Sequence, residues 1–115
     1  MAAGVCQIQV SHSDRSALER IIEQLLERRL IACGQVLGPI SSSFRWEGTV
    51  EHEREWLGLL KTASSRAAEV QTLLAELHSY EVPEILVTEV LAGHGPYLHW
   101  VLEQTAGAPP TGDGG

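Results

Sequence analysis

Two long strands joined at Glu47-Gly48 are the feature that most constrains this chain. Residues 41–62 are SSSFRWEGTVEHEREWLGLLKT, and they include four side chains that favour a half-buried, pleated strand: Phe44, Trp46, Val50 and Trp56. Glycine accepts the positive φ of a two-residue turn, so Gly48 marks the reversal. The second strand is charged from 50 to 55 and apolar from 56 to 60. We therefore predict that its charged end leaves the domain as an oligomerisation arm, with indoles partly exposed on an isolated chain.

Helical patterns lie on both sides of this hairpin. Before it, apolar residues recur at helical spacing after Ser13 and Ser16, either of which is a candidate cap for the first helix. After it, a second helix is predicted to begin behind a cap at Ser64 or Ser65 and to end before Pro83.

Short apolar runs predict the remaining strands. They lie at residues 5–10, 30–36 and 85–91, and the middle run is interrupted by Gly38-Pro39 before it resumes into the hairpin. Pro96 suits the first turn of a short third helix. This order predicts an α+β fold, a ferredoxin-like split β-α-β sandwich with a long hairpin between its second and third strands and a short C-terminal helix. The sheet face away from the two main helices is also apolar, which again predicts a partner.

Length, composition and charge limit what the protein can be. Its 115 residues suffice for one modest core, so residues 1–105 are predicted to form a single domain, followed by a Gly/Pro-rich disordered tail at 106–115. The formal net charge of −7 argues against nucleic acid and against an anionic membrane surface as partners. No signal peptide or membrane span is evident, and Cys6 and Cys33 are too few for a disulfide framework. A cytoplasmic location is expected.

The polar residues suggest binding rather than catalysis. The sequence has no Ser-His-Asp order, Gly-rich phosphate loop or Cys-x-x-Cys pair, so we expect no enzyme. Residues 78–84 (HSYEVPE) combine an imidazole, a phenol and two carboxylates, which suits either a cation or small ligand or a helix end beside an interface. Glu51, Glu53 and Glu55 are predicted to share one strand face. This face could be a site for a hard cation or a solvated face that forms salt bridges.

Two charged pairs are also expected. Lys61 follows an apolar run and is predicted to be buried against Glu55 or Glu84, as an internal ion pair or as a ligand anchor. His99 and Glu103 lie one helical turn apart and are predicted to form a surface pair.

A series of short motifs runs in one order between residues 5 and 104. They are LIAC at 30–33, SSFRWEG at 42–48, Glu55, Lys61-Thr62, His78-x-Tyr80-x-x-Pro83-Glu84-Ile85 and Tyr97-Leu98-x-Trp100. In this order and at these spacings they resemble the CutA family, the divalent-cation-tolerance proteins. The resemblance implies a ferredoxin-like subunit in a compact homotrimer, in which the long hairpins extend each sheet onto its neighbour. It also implies a cytoplasmic protein associated with tolerance of copper and other divalent metals.

The resemblance implies a metal site that this chain retains only in part. Copper-binding members of the family have a Cys at the end of the first strand and two adjacent His before the Tyr. Here these positions are Val10 and Leu77-His78, which leaves His78 as the candidate metal ligand, with His12 as a nearby substitute. A lone imidazole holds copper weakly. The implied cofactor is Cu(II) or another divalent cation.

Two functions are therefore open. The first is a trimeric protein of divalent-metal tolerance, with His78 as its ligand. The second follows from the similarity of this architecture to the PII signalling proteins and is a trimeric module that binds a small ligand between subunits. Six motif residues are predicted to line that cleft or, alternatively, to form the trimer interface: Trp46, Glu55, Lys61, Tyr80, Glu84 and Trp100.

Overall fold

The protein is a four-stranded antiparallel sheet with helices packed against it. The structure, a computed structural model, describes residues 3–107. Its elements are β1 (Val5–His12), α1 (Arg15–Glu27), β2 (Cys33–Trp46), β3 (Thr49–Ala63), a 3-10 turn (Ser64–Arg66), α2 (Ala67–Leu77), β4 (Ile85–Glu89) and α3 (Gly95–Thr105). The strand order is β2-β3-β1-β4, and every neighbouring pair is antiparallel. This confirms the predicted ferredoxin-like α+β fold. Of the predicted tail at 106–115, the part from residue 108 onward lies outside the described residues.

The core lies between the sheet and the pair α1 and α2. Ile8 of β1, Leu60 of β3, Leu18 of α1 and Leu74 of α2 are fully buried and belong to one apolar cluster. Each such side chain contributes about 1.5–3 kcal/mol when it is removed from water. The apolar periodicity of the two helices therefore buries one face of each, as predicted.

β2 and β3 extend beyond the rest of the sheet. β1 pairs with β3 only from Trp56 to Ala63, so residues 40–55 form a two-stranded arm. At its tip, Glu47 and Gly48 have φ values of 48° and 86°. Positive φ at both central residues is typical of a type I′ turn, which matches the twist of the flanking strands. The predicted hairpin and its turn are confirmed.

A bulge separates the arm from the body of the sheet. The register of β2 against β3 shifts between Leu37 and Ile40, where Gly38 has a φ of 145°. Few residues with a side chain adopt this backbone conformation. The predicted interruption at Gly38-Pro39 is therefore a bulge within one strand.

The third helix covers one end of the other sheet face. α3 packs against β3 and β1 and buries Val101 and Thr105. The rest of this face, here called the open face, carries apolar side chains that include Leu57 and Leu59 on β3, both half-buried, and Leu86 on β4, which is 54% exposed. The second apolar face predicted from the sequence is therefore present. None of the helices between residues 3 and 107 is long and apolar enough to cross a membrane.

Two predicted caps are wrong. α1 is capped by Asp14, whose side chain accepts a hydrogen bond from the Ala17 N–H at 3.1 Å, and not by Ser13 or Ser16. α2 has no side-chain cap, because Ser64 begins the preceding 3-10 turn and its hydroxyl instead donates to Glu89 at 2.7 Å.

Three strand boundaries also differ from the prediction. β1 continues to His12, because Ser11 and His12 still pair with Leu57 and Trp56 of β3. β2 begins at Cys33, because residues 29–30 still hydrogen-bond to the end of α1. β4 ends at Glu89, and its residues are half-buried or exposed instead of buried. It is an edge strand of the sheet.

Candidate functional site: an acidic cleft and a buried histidine pair

A cleft of about 800 Å³ lies between the arm and the segment that follows α2. Its lining combines five carboxylates with three aromatic rings, and it contains no Lys, Arg or His: Ser11, Ser42, Ser43, Phe44, Trp46, Glu51, Glu53, Glu55, Tyr80, Glu81, Val82, Pro83 and Glu84. The volume falls within the range of small-ligand pockets. The described part of the chain thus forms a concave surface that is strongly negative and partly aromatic.

Strand geometry explains why the carboxylates converge. Side chains two residues apart on a strand point to the same face, so Glu51, Glu53 and Glu55 of β3 share one side of the arm. Ser42 and Phe44 of β2 lie directly opposite Glu53 and Glu51. The predicted shared carboxylate face is confirmed, and the repulsion among its like charges favours a cationic partner.

Glu55 is the most buried of these carboxylates. It is only 6% exposed, and it accepts a hydrogen bond from the Tyr80 hydroxyl at 2.8 Å. Burial raises the pKa of Tyr80 to about 12, and the Glu55 carboxylate adds to this effect. Tyr80 therefore remains a hydroxyl donor at neutral pH and connects the segment after α2 to the base of the arm.

Two buried imidazoles lie behind the cleft. His12 and His78 stack with their ring centroids 4.3 Å apart, and the Tyr80 ring packs edge-on against His78 at 4.5 Å. His78 Nε2 donates to the Ser11 carbonyl at 2.7 Å, and its Nδ1 accepts from the Tyr80 N–H at 3.1 Å. Nε2 therefore holds the segment after α2 against the end of β1, and Nδ1 fixes the turn within that segment.

His12 is also held through its ring. Its Nδ1 accepts from the Asp14 N–H at 3.0 Å, which fixes the turn between β1 and α1. Burial lowers the pKa of His12, the neighbouring His78 lowers it further, and Asp14 and Glu55 act in the opposite direction. Protonation of His12 therefore opposes folding.

The surroundings of His78 do not fit a metal centre. Among residues 3–107 no group of three His, Cys, Asp or Glu side chains is close enough to hold a metal ion. Val10 is a fully buried core residue, and Leu77 packs against the same core. The two positions at which the copper-binding pattern requires ligands are thus apolar, and neither nitrogen of His78 is free. The prediction that His78 binds a metal stays untested, but coordination would require the ring to release Ser11 or Tyr80.

The six motif residues separate into two groups. Trp46, Glu55, Tyr80 and Glu84 meet at the cleft, whereas Lys61 and Trp100 lie toward the other end of β3. Glu55 and Lys61 lie six positions apart on β3, which corresponds to about 20 Å. The six side chains therefore do not line one cleft within a single chain.

The expected ion pair of Lys61 is wrong. Its ammonium donates to the Gln35 amide oxygen at 2.6 Å and forms no ion pair with any carboxylate of residues 3–107. Nearby, the Cys33 Sγ lies 3.3 Å from the Tyr97 hydroxyl, and the Tyr97 and Trp100 rings are 5.8 Å apart. The predicted surface pair of His99 and Glu103 is confirmed at 3.2 Å.

Sequence reasoning missed part of the cleft. Glu84 accepts from the Gln9 amide at 2.8 Å, and the Ser11 hydroxyl lies 3.5 Å from it, so β1 contributes to the cleft. Glu81 belongs to the lining as well. The alternation of Gln7, Gln9 and Ser11 along one face of β1 was the available signal for this polar edge.

We expect Tyr80→Phe to destabilise the protein by about 1–3 kcal/mol, because it leaves the buried Glu55 carboxylate without its donor. The folded-state pKa of Tyr80, about 12, lies above its ordinary value of 10.0. The hydroxyl therefore stabilises the fold fully below pH 10, and this contribution is lost as the pH rises towards 12. Denaturant unfolding of both proteins at several pH values measures this effect. As the pH rises above 10, the variant should lose less of its free energy of unfolding than wild type loses.

Tyr97→Phe is the matched control, because burial also raises the pKa of Tyr97 to about 12 while its hydroxyl contacts Cys33 and not Glu55. At neutral pH Tyr97→Phe should lower the free energy of unfolding by less than Tyr80→Phe does. An equal cost at neutral pH would contradict the assigned role of the Tyr80–Glu55 hydrogen bond.

Comparison with known proteins identifies the family. The family model described as CutA1 divalent ion tolerance protein matches residues 6–104. The divalent-cation tolerance protein CutA of Thermus thermophilus is 35% identical over 85 residues, which are 74% of this chain and 82% of the relative. Protein CutA of Mus musculus is 32% identical over 90% of this chain, but the chain spans only 58% of that longer protein. The corresponding human protein is spanned over 54% of its length.

Solved structures agree with the sequence comparison. CutA from Xylella fastidiosa superposes with a TM-score of 0.86 at 31% identity, covering 89% of this chain and 98% of the other. The periplasmic divalent cation tolerance protein CutA from Archaeoglobus fulgidus gives a TM-score of 0.85 at 34% identity, covering 88% and 98%. The match extends over the arm, the sheet and all three helices, and the chain belongs to the CutA1 divalent ion tolerance family.

Proposed function

We propose that this protein acts in the tolerance of divalent cations, copper among them, and that it does so as a homotrimer. The observation that carries the proposal is the family match over residues 6–104, nearly the whole described chain. Its relatives from Thermus thermophilus and Pyrococcus horikoshii are named divalent-cation tolerance proteins, and the chain spans 82% and 95% of them. These names describe tolerance and name no reaction, which supports a non-enzymatic role.

The exposed apolar surfaces support the trimer. Phe44, Trp46 and Val50 of the arm and Leu86 of the open face are all more than a third exposed on the single chain. Apolar patches of this kind mark interfaces between proteins. An arm that projects beyond its own sheet is suited to extend the sheet of a neighbour, because its outer strand edges have no partner among residues 3–107.

The tolerance role does not require a copper centre at His78. Both nitrogens of this ring hold backbone groups, and the two other positions of the copper-binding pattern are apolar. We therefore assign His78 to the support of the cleft wall. The PII-like alternative, a small-ligand module, draws no support from the relatives named above.

Expression of this protein should restore growth in Cu(II) to a host that lacks its own family member. Growth is compared at graded Cu(II) concentrations with an empty vector and with equal protein levels verified. The His78→Gln variant keeps a donor for the Ser11 carbonyl and should restore growth as well as wild type. Failure of the wild-type protein to restore growth would contradict the proposed role.

Native mass spectrometry with one equivalent of Cu(II) per chain tests His78 directly. We expect His78→Gln and His78→Ala to take up the same amount of copper as wild type. Stoichiometric copper on wild type that both variants lose, with their far-UV circular dichroism unchanged, would instead establish His78 as a ligand.

The cysteines support the cytoplasmic location that we also propose. Cys6 and Cys33 are free thiols, as expected in a reducing compartment. Burial raises the pKa of Cys6 to about 11, with Glu89 adding to the effect, so this thiol is inert at neutral pH. The Archaeoglobus fulgidus relative, by contrast, is named as periplasmic. Fractionation of the native host distinguishes the two locations.

A further inference from the structure

We infer that the acidic cleft is completed by a second copy of the chain, whose Lys61 ammonium enters it and pairs with the carboxylates around Glu55. The inference rests on the proposed homo-oligomer and adds the contact that joins its subunits. The cationic partner of the cleft is then a second copy of the same chain. The motif residues at the cleft and those near Lys61, which lie apart in a single chain, meet in this contact.

The cleft lacks the cation that its charges require. Glu55 is more than nine-tenths buried, yet its one hydrogen-bond donor among residues 3–107 is the neutral Tyr80 hydroxyl. Glu51, Glu53, Glu81 and Glu84 add four more carboxylates to the lining. A buried carboxylate without a counter-charge is costly, so a cation from outside the chain stabilises this arrangement.

Lys61 has the opposite deficiency. It is the only lysine of the sequence, it is half-buried, and its one polar partner among the described residues is the Gln35 amide. Tyr97 and Trp100, which lie beside it, are 40% and 39% exposed. Tyr and Trp are enriched at protein interfaces, so the two exposed rings beside Lys61 mark this surface as a contact region.

The pairing cannot form within one chain. Lys61 and Glu55 lie on the same face of the same strand, about 20 Å apart. This separation is far beyond the reach of a lysine stem with four methylenes. The contact therefore requires a second chain.

The arginines do not offer an equivalent cation. Arg15 and Arg66 already pair with Glu19 and Glu69. Arg45 and Arg54 project from the opposite face of the arm, because each alternates along its strand with cleft residues. The remaining arginines within residues 3–107 are at or just beyond α1, on the other side of the sheet: Arg20, Arg28 and Arg29. Lys61 is thus the cation that shares the open face with the cleft.

The pairing also explains a closed ring. The cleft and the Lys61 end are different surfaces, and in the proposed trimer each chain offers its cleft to one neighbour and its lysine to the other. Such a head-to-tail contact is heterologous, and it forms a ring where the rotation between neighbouring chains closes. A trimer with three identical contacts satisfies every cleft and every lysine.

Carbodiimide cross-linking tests the contact at residue level. This reagent joins an amine to a carboxylate directly, with no spacer, so only groups in contact become linked. A mixture of ¹⁴N-labelled and ¹⁵N-labelled chains is refolded together, cross-linked and digested. We expect peptides that join Lys61 to Glu55, Glu84 or another cleft carboxylate, in mixed-isotope as well as single-isotope form.

Two variants of Lys61 separate the effect of its positive charge from its ability to form the cross-link. Lys61→Arg keeps the positive charge but cannot form the amide, so it should assemble and lose the cross-link. Lys61→Gln removes the charge and should raise the concentration at which the oligomer dissociates by about tenfold or more. Native mass spectrometry measures the assembly, and circular dichroism verifies that each variant is folded.

The outcomes distinguish the inference from the assembly on which it rests. A trimer with no Lys61 cross-link, and with Lys61→Gln as stable as wild type, would overturn the contact and leave the assembly intact. A wild-type protein that is monomeric by native mass spectrometry would overturn both. A trimer with the inter-chain cross-link supports both.

Discussion

Leu60→Ala should lower the free energy of unfolding by about 2–5 kcal/mol. Leu60 is fully buried at the centre of β3, where it lies opposite Ile8 on β1 and Gly34 on β2 and belongs to the same apolar cluster as Leu18. Truncation removes buried methyl groups and leaves a cavity, and the β-sheet framework around it cannot collapse to fill the space. A typical domain is stable by about 5–15 kcal/mol, so this loss is a large fraction of the total.

The measurement is denaturant unfolding at one fixed chain concentration, since the stability of an oligomer depends on concentration. Leu91→Ala is the matched control, because Leu91 is the same residue type but 75% exposed. It should change stability by no more than about 0.5 kcal/mol. Equal costs for the two variants would contradict the assignment of Leu60 to the centre of the core.

Most of the fold could be predicted because its signals are local. Apolar residues at helical spacing located α1 and α2, and Gly48 located the turn of the arm. The cap of α1 was mispredicted because Ser13, Asp14 and Ser16 are all residue types that cap a helix N-terminus. The choice of Asp14 depends on His12, whose ring accepts the Asp14 N–H and sets where the chain leaves β1. The bond itself is local, but the position of the His12 ring is set by its stacking on His78, which is distant in sequence and is not contained in helix propensity.

The candidate site was predictable in four of its members but not in its arrangement. Trp46, Glu55, Tyr80 and Glu84 do meet at one cleft, although β3 and the segment after α2 are distant in sequence. The separation of Lys61 from Glu55 was available from the sequence, since two residues on one strand six positions apart cannot touch. The role of His78 was not available, because its partners are backbone groups of Ser11 and Tyr80.

Gly38→Ala should lower the free energy of unfolding by about 2–4 kcal/mol, which is the second large effect expected in this protein. Gly38 has a φ of 145° at the bulge between the body of the sheet and the arm. A Cβ placed there would lie 2.9 Å from the Trp56 Cδ1 and 3.0 Å from the Glu55 carbonyl oxygen. The indole can turn away, but the carbonyl belongs to the strand that carries the cleft carboxylate. Relief of the contact must therefore move the arm relative to the body of the sheet.

Gly48→Ala is the control that separates backbone strain from this contact. Gly48 also has a positive φ, 86°, but a Cβ there would have no neighbour within 4 Å. It should cost about 1 kcal/mol, the penalty for left-handed backbone alone. Denaturant unfolding gives the two costs, and the yield of the Lys61 cross-link reports the position of the arm. Gly38→Ala should reduce that yield and Gly48→Ala should not, because the bulge at Gly38, and not the turn at the tip, sets where the cleft carboxylates lie.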